Sequence, residues 1–187
     1  MSRPRFVHVS AVTFILALAA CGRREAVKPA GGFELTSPAF RDGEPMPTAF
    51  TDYGTNVSPP LEWRNPPEGT RSFALVFEDL GAETRNASRW IVFNIPDSVS
   101  RLPLAAGAEK DSGGLGLPGE CYSGPCPTPG RQRRYRFTLY ALDTRLDLGP
   151  LVVQTAVLRE AMAGHVLGEA GLDCTYWRRG SIGRRLL

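Results

Sequence analysis

The stretch Ser72-Phe73-Ala74-Leu75-Val76-Phe77-Glu78 decides the fold. In an extended chain successive side chains point to opposite faces, so Phe73, Leu75 and Phe77 share one face while Ala74 and Val76 share the other. Both faces are apolar, which is the pattern of a central strand covered on both sides. Tyr135 to Leu142 supplies its companion, with Tyr135, Phe137, Leu139 and Ala141 on one face. Arg136, Thr138, Tyr140 and Leu142 lie opposite, giving a one-sided strand with a wetter start. Shorter extended runs, Gly32 to Ser37, Leu61 to Trp63, Arg89 to Ile95 and Asp173 to Arg178, are separated by Gly and Pro punctuation.

Only one segment carries a clear helical period. Thr155 to Gly164 places Val157, Leu158, Ala161 and Met162 on a stripe, turns Arg159 and Glu160 away, and stops at Gly164. The 187 residues, 42% hydrophobic and 22% charged, suit a single globular domain with a full core. Glycine (20) and proline (16) are abundant for a helical protein and favour strands joined by turns. The expected fold is therefore mainly β, a sandwich with one short C-terminal helix.

Charge and histidine content remove whole classes of function. The formal net charge is +3, and removal of a segment holding Arg3 and Arg5 lowers the basic count from 22 to 20 against 19 acidic residues. A balance so near neutrality predicts no nucleic-acid partner. His8 and His165 are the two histidines, which excludes a Ser-His-Asp triad or a multi-histidine zinc site in the mature domain. His165 follows Gly164 at the helix end and reads as structural. No nucleophile motif of the Gly-x-Ser-x-Gly kind is present, and a hydrolase built on Asp79 and Tyr135 has little support, so the chain is not read as an enzyme. No cofactor and no metal are expected.

The front end reads as an address. Arg3 and Arg5 precede an apolar run from Phe6 to Ala20 that is too short to span a bilayer as a helix. Leu18-Ala19-Ala20-Cys21 resembles the bacterial lipobox, in which the cysteine receives acyl chains such as palmitate and becomes the new amino terminus. Residues 1–20 are thus expected to be a signal peptide, Cys21 the lipid anchor, and residues 21–31 a flexible tether before a domain at 32–187. Gly22, where an aspartate would favour the inner membrane, leans towards an outer-membrane lipoprotein facing the periplasm. The lipid bilayer is then one partner, and the Arg178-Arg179 and Arg184-Arg185 pairs read as a solvated tail.

Cys121, Cys126 and Cys174 remain after Cys21. An oxidising compartment permits at most one bridge within the chain. Cys121 and Cys126, flanking the turn-rich Tyr122-Ser123-Gly124-Pro125, are the leading pair; a bridge from Cys174 to either, or free thiols, are the alternatives.

Several turn motifs then coincide in order. Phe40-Arg41-Asp42-Gly43, Gly54-Thr55-Asn56-Val57-Ser58-Pro59-Pro60-Leu61-Glu62-Trp63 and Pro67-Glu68-Gly69-Thr70-Arg71-Ser72-Phe73 resemble the amino-terminal half of the phosphatidylethanolamine-binding protein family, in its bacterial Raf-kinase-inhibitor-like branch. Trp90-Ile91-Val92-Phe93-Asn94-Ile95-Pro96, Tyr122-Ser123-Gly124-Pro125-Cys126-Pro127, Arg134-Tyr135-Arg136-Phe137 and Gly164-His165-Val166-Leu167 continue the match. The resemblance implies a sandwich of two antiparallel sheets and a small pocket for phosphate-like or carboxylate groups at one end. It does not transfer the kinase-inhibitor role, because function lives in sites and not in folds.

Carried over by position, the resemblance places Asp79, Arg89, Gly124, Pro125, Arg133 and Tyr135 at the pocket, with Arg134 beside them. Arg89 and Arg133 stand where the family has histidines, and Leu80, Gly81 and Glu83 replace residues that stiffen the family's turn. Two readings stay open. The arginines grip an anion by bidentate hydrogen bonds, or they fill the cavity by pairing with Asp79, Glu78 or Glu83. The first makes the chain a binding protein for an anionic small molecule; the second makes it an envelope protein-interaction or protease-inhibitor module with a vestigial pocket. Asp42, Asn56 and Ser58 read as turn formers bonding local backbone.

Overall fold

A computed structural model describes residues 32–82, 88–106, 119–149 and 154–178. The expectations for residues 1–20, Cys21 and the tether, and for Glu83, Arg179, Arg184 and Arg185, lie outside the described residues.

Among the described residues, eight strands form two antiparallel sheets, as the resemblance implies. The smaller has the order β1-β2-β5, from Glu34–Thr36, Leu61–Arg64 and Arg101–Leu102. The larger has the order β6-β4-β3-β7-β8, from Gly119–Glu120, Ser88–Pro96, Ser72–Asp79, Gln132–Leu142 and Val166–Trp177. A 3-10 turn, Thr48–Phe50, and one helix, α1 at Thr155–Met162, complete the elements.

The two apolar faces of β3 serve two cores. Phe73, Leu75 and Phe77 join Trp63, Trp90, Tyr135, Phe137 and Leu139 in the layer between the sheets. Ala74 and Val76 join Ile91, Phe93, Leu142, Leu158 and Met162 on the outer face, under α1. β3 pairs with β7 in unbroken register from Ser72↔Leu142 to Asp79↔Tyr135, which brings Asp79 and Tyr135 side by side at one end of the sandwich.

The short strands β5 and β6 and the 3-10 turn were not expected from the sequence, β7 starts at Gln132 rather than Tyr135, and two further elements differ from the expectation. β8 begins at Val166, not Asp173, and pairs with β7 along its whole length. Gly168 and Gly171 disguise this part of the strand, and at Gly168 a Cβ would lie 2.9 Å from Pro67 Cγ, so close packing demands glycine there. In α1 the buried positions are Thr155, Leu158 and Met162, while Val157 is 40% exposed. Each residue advances a helix by about 100°, so Val157 stands off the face that Leu158 presents to the sheet. The helix ends at Met162, and Gly164, with φ +82°, follows the extended Ala163 in a type II turn that His165 N–H closes on Met162 O at 3.0 Å. His165 is held structurally, its Nδ1 2.8 Å from Asp143 Oδ1.

Candidate functional site

Asp79 ends β3 and is 4% exposed. A buried carboxylate needs donors, and among the described residues it has two: the Gly81 N–H at 2.9 Å and Arg133 Nη1 at 3.2 Å from Oδ2. The turn Asp79-Leu80-Gly81 is therefore held by the aspartate's own side chain, without the prolines that the resemblance led one to seek. Leu80 N–H donates to Arg134 O at 2.9 Å and keeps the turn against β7.

Strand alternation then sorts the basic run of β7. Arg133 and Tyr135 point to the inner side with Asp79. Arg134 and Arg136 point outward, where both pair with Asp173, at 3.3 Å and 2.5 Å. Arg134 matches the family motif yet lies off the site. Asp173 has its pKa lowered, chiefly by the hydrogen bond from Arg136.

Tyr135 is wholly buried, and its hydroxyl has no hydrogen-bond partner among the described residues. Burial pushes the phenol pKa up, as does the Asp79 charge, while Arg89 and Arg133 pull it down. The phenol thus stays protonated as a donor, within the electrostatic reach of both arginines. Phe77 packs between Tyr135 and Tyr122, with ring centroids 5.9 Å and 5.6 Å away.

The opposite wall comes from residues 122–125. Tyr122 O–H donates to Phe50 O at 2.6 Å, Ser123 N–H to Arg89 O at 2.7 Å, and Gly124 N–H to Asn56 Oδ1 at 2.8 Å. Asp52 N–H donates to Pro125 O at 3.1 Å. No side chain fits at position 124, where a Cβ would lie 2.4 Å from Phe50 O. Arg89 lies along this wall with Nη1 3.5 Å from both Ser123 Oγ and Gly124 O. Those contacts are long, and no carboxylate pairs with Arg89 among the described residues.

The structure thus gathers Asp79, Arg133 and Tyr135 on one side and Arg89, Gly124 and Pro125 on the other. Asn56, Asp52, Tyr122 and Ser123 position this second wall, and the sequence reading passed over that role. The φ of +56° at Asn56 fits a turn former, but its side chain reaches Gly124 rather than local backbone. Asp42 likewise accepts from the Asp173 N–H at 2.7 Å, pinning β8.

Cys121, Cys126 and Cys174 are free thiols, so the expected Cys121–Cys126 pairing is not formed. The four residues between them are tied to Phe50, Arg89, Asn56 and Asp52, which prevents the segment from folding back on itself. The Cys126 S–H instead lies 3.1 Å from Asp52 Oδ2.

Comparison with known proteins agrees with this fold. The family model described as phosphatidylethanolamine-binding protein matches residues 36–177. A UPF0098 protein of Methanothermobacter thermautotrophicus is 45% identical over 157 residues, spanning 78% of this chain and 99% of that protein. The crystal structure of E. coli YbcL, called a new member of the mammalian PEBP family, superposes with TM-score 0.72 at 28% identity, covering 79% of this chain and 99% of that one. A PEBP homologue of Chlamydia trachomatis superposes with TM-score 0.68 at 31% identity, covering 80% and 99%.

Proposed function

This chain belongs to the phosphatidylethanolamine-binding protein family, in the bacterial branch of E. coli YbcL, and from that premise we propose that it is a membrane-anchored periplasmic protein that binds an anionic small molecule. One observation carries the reading: a buried Tyr135 hydroxyl without a hydrogen-bond partner among the described residues, within electrostatic reach of two arginines, of which Arg89 has no carboxylate partner among those residues. A phosphate or carboxylate oxygen would accept from the phenol and from Arg89 together, in a recess where such bonds are stronger than in water. No step of bond making is assigned to the site.

The ion pair of Arg133 with Asp79 favours the second reading, a pocket closed by its own side chains on a protein-interaction module. Thermal denaturation with inorganic phosphate, acetate and phosphoethanolamine separates the two. Saturation at about 100 times Kd stabilises by about 2.7 kcal/mol, or about 5–10 °C for a domain of this size. The stabilisation is expected to vanish in Arg89→Ala and to fall sharply in Tyr135→Phe. No shift with any of these anions, in folded protein, would leave the closed-pocket reading.

Anchoring rests on the lipobox-like Leu18-Ala19-Ala20-Cys21. Blocking the lipoprotein signal peptidase is expected to accumulate the unprocessed precursor, and normal processing under the block would remove the anchor from the reading.

A further inference from the structure

Beside Asp79 lies a second recess of about 310 Å³, lined by Leu80, Gly81, Arg131, Gln132, Arg133 and Arg134. Its cations are unequally committed. Arg134 is held by Asp173, and Arg133 meets Asp79 through Nη1, with no bond from its Nη2 or Nε among the described residues. Arg131 is exposed and has no carboxylate partner among the described residues. Among the described residues, the recess thus holds one unmatched positive charge and the free edge of a second guanidinium, and no acidic residue lines it.

The larger groove on the outer face of the sheet, about 680 Å³, makes a contrast. There Arg159 already pairs with Glu78 at 2.9 Å and Arg136 with Asp173 at 2.5 Å, so its charges call for no counter-ion.

Arg133 joins the recess to the inner site, since it contacts Asp79 within and lines the recess without. Position 131 is also fixed rather than trailing. The Arg131 N–H donates to Thr128 O at 3.2 Å and the Gly130 N–H to Arg178 O at 2.9 Å, which closes the turn that carries Arg131 to the start of β7.

We propose that the recess is an outer subsite, with Arg131 and the free edge of Arg133 as its donors, and that the ligand of this protein carries two adjacent anionic groups, as a diphosphate does. The inference rests on the reading of the inner site as an anion site. One anionic group sits against Arg89 and Tyr135, and the next reaches out past Arg133 to Arg131. A recess of this volume is ample for one phosphoryl group and part of what it is attached to.

The test is calorimetric titration of the full-length lipoprotein in detergent, free of divalent metal, with inorganic phosphate and with pyrophosphate. The native protein is expected to bind pyrophosphate about tenfold more tightly than phosphate, the gain of one added charge-assisted contact. Arg131→Ala is expected to abolish that preference while changing phosphate affinity less than about twofold, and Arg89→Ala to weaken both ligands. Equal affinity for the two ligands in the native protein, or an Arg131→Ala loss that is the same for both, overturns the outer subsite. Pyrophosphate binding that depends on Arg131 but ignores Arg89→Ala, with no phosphate binding, keeps the subsite and overturns the inner one. Binding of neither ligand overturns both. Titration of the same detergent-solubilised protein with a lipid diphosphate dispersed in that detergent, beside pyrophosphate, tells whether the diphosphate is a lipid headgroup, bound the more tightly of the two, or a soluble group, bound no better with the lipid attached.

Discussion

Replacing Gly124 with alanine tests whether the second wall of the site is as rigid as its contacts imply. A Cβ there would lie 2.4 Å from Phe50 O, 2.8 Å from Asn56 Oδ1 and 2.8 Å from Thr51 Cα. Two of the three neighbours are backbone, and neither can swing aside as a long side chain can. Ordinary contact begins near 3.4 Å, so the segment must retreat by several tenths of an ångström to about one. Overpacking of this kind costs about 1–3 kcal/mol. The retreat also stretches the 2.8 Å bond from Gly124 N–H to Asn56, worth about 1 kcal/mol. Together these give about 2–4 kcal/mol, or about 5–15 °C in Tm. Gly149→Ala is the control, because nothing lies within 4 Å of a Cβ at that position. Differential scanning calorimetry reads both. A Gly124→Ala loss no larger than that of Gly149→Ala would refute the rigid-wall reasoning and mean that residues 122–125 move freely past Phe50 and Asn56.

Further outcomes follow from burial and charge. Burial pushes the Cys174 thiol up to about 12, so peptide mapping after alkylation at neutral pH is expected to find Cys121 and Cys126 modified in the native protein and Cys174 modified only after denaturation. Asp173 has a folded pKa below its unfolded value, so its contribution is present above the unfolded value, about pH 4, and disappears as pH falls through the folded one. Asp173→Asn should lower urea stability at neutral pH and flatten its acid dependence; an unchanged slope would show that the Arg134 and Arg136 pairs do not couple to folding. Leu158→Ala should cost about 2–4 kcal/mol and Val157→Ala well under 1 kcal/mol, since Leu158 is fully buried and Val157 is 40% exposed. Equal costs in denaturant titrations would mean that α1 is rotated from the orientation described.

Much of the fold was legible because alternation of apolar residues is a local signal. Ser72 to Glu78 shows both its faces in seven residues, and each face found the core its pattern implies. β8 was only half legible, because its first part is strand by pairing rather than by composition. Val166 to Gly171 carries two glycines and no apolar alternation, and it is strand because it pairs with the end of β7, with one bulge at Leu167. The same holds for Asn56 and Asp42. A side chain that bonds a backbone N–H 68 or 131 residues away leaves no mark beside it in the sequence, and both residues read as local turn formers.

The site shows where legibility stops. Arg131, Arg133, Arg134 and Arg136 lie within six residues of one another along the chain. Once the register Asp79↔Tyr135 is set, the period of two in β7 divides them. Arg134 and Arg136 turn outward to share Asp173, Arg133 turns inward to Asp79, and Arg131 stays without a carboxylate partner among the described residues. A slip of one residue would exchange the pairs, setting Arg134 or Arg136 against Asp79 in place of Arg133 and turning Tyr135 to the wet face. Register alone therefore decides that Arg133 compensates the buried aspartate and that the charge left unmatched on this strand's approach is Arg131. That assignment makes the two subsites separable by mutation, because the arginine that fills the outer one holds nothing else in place.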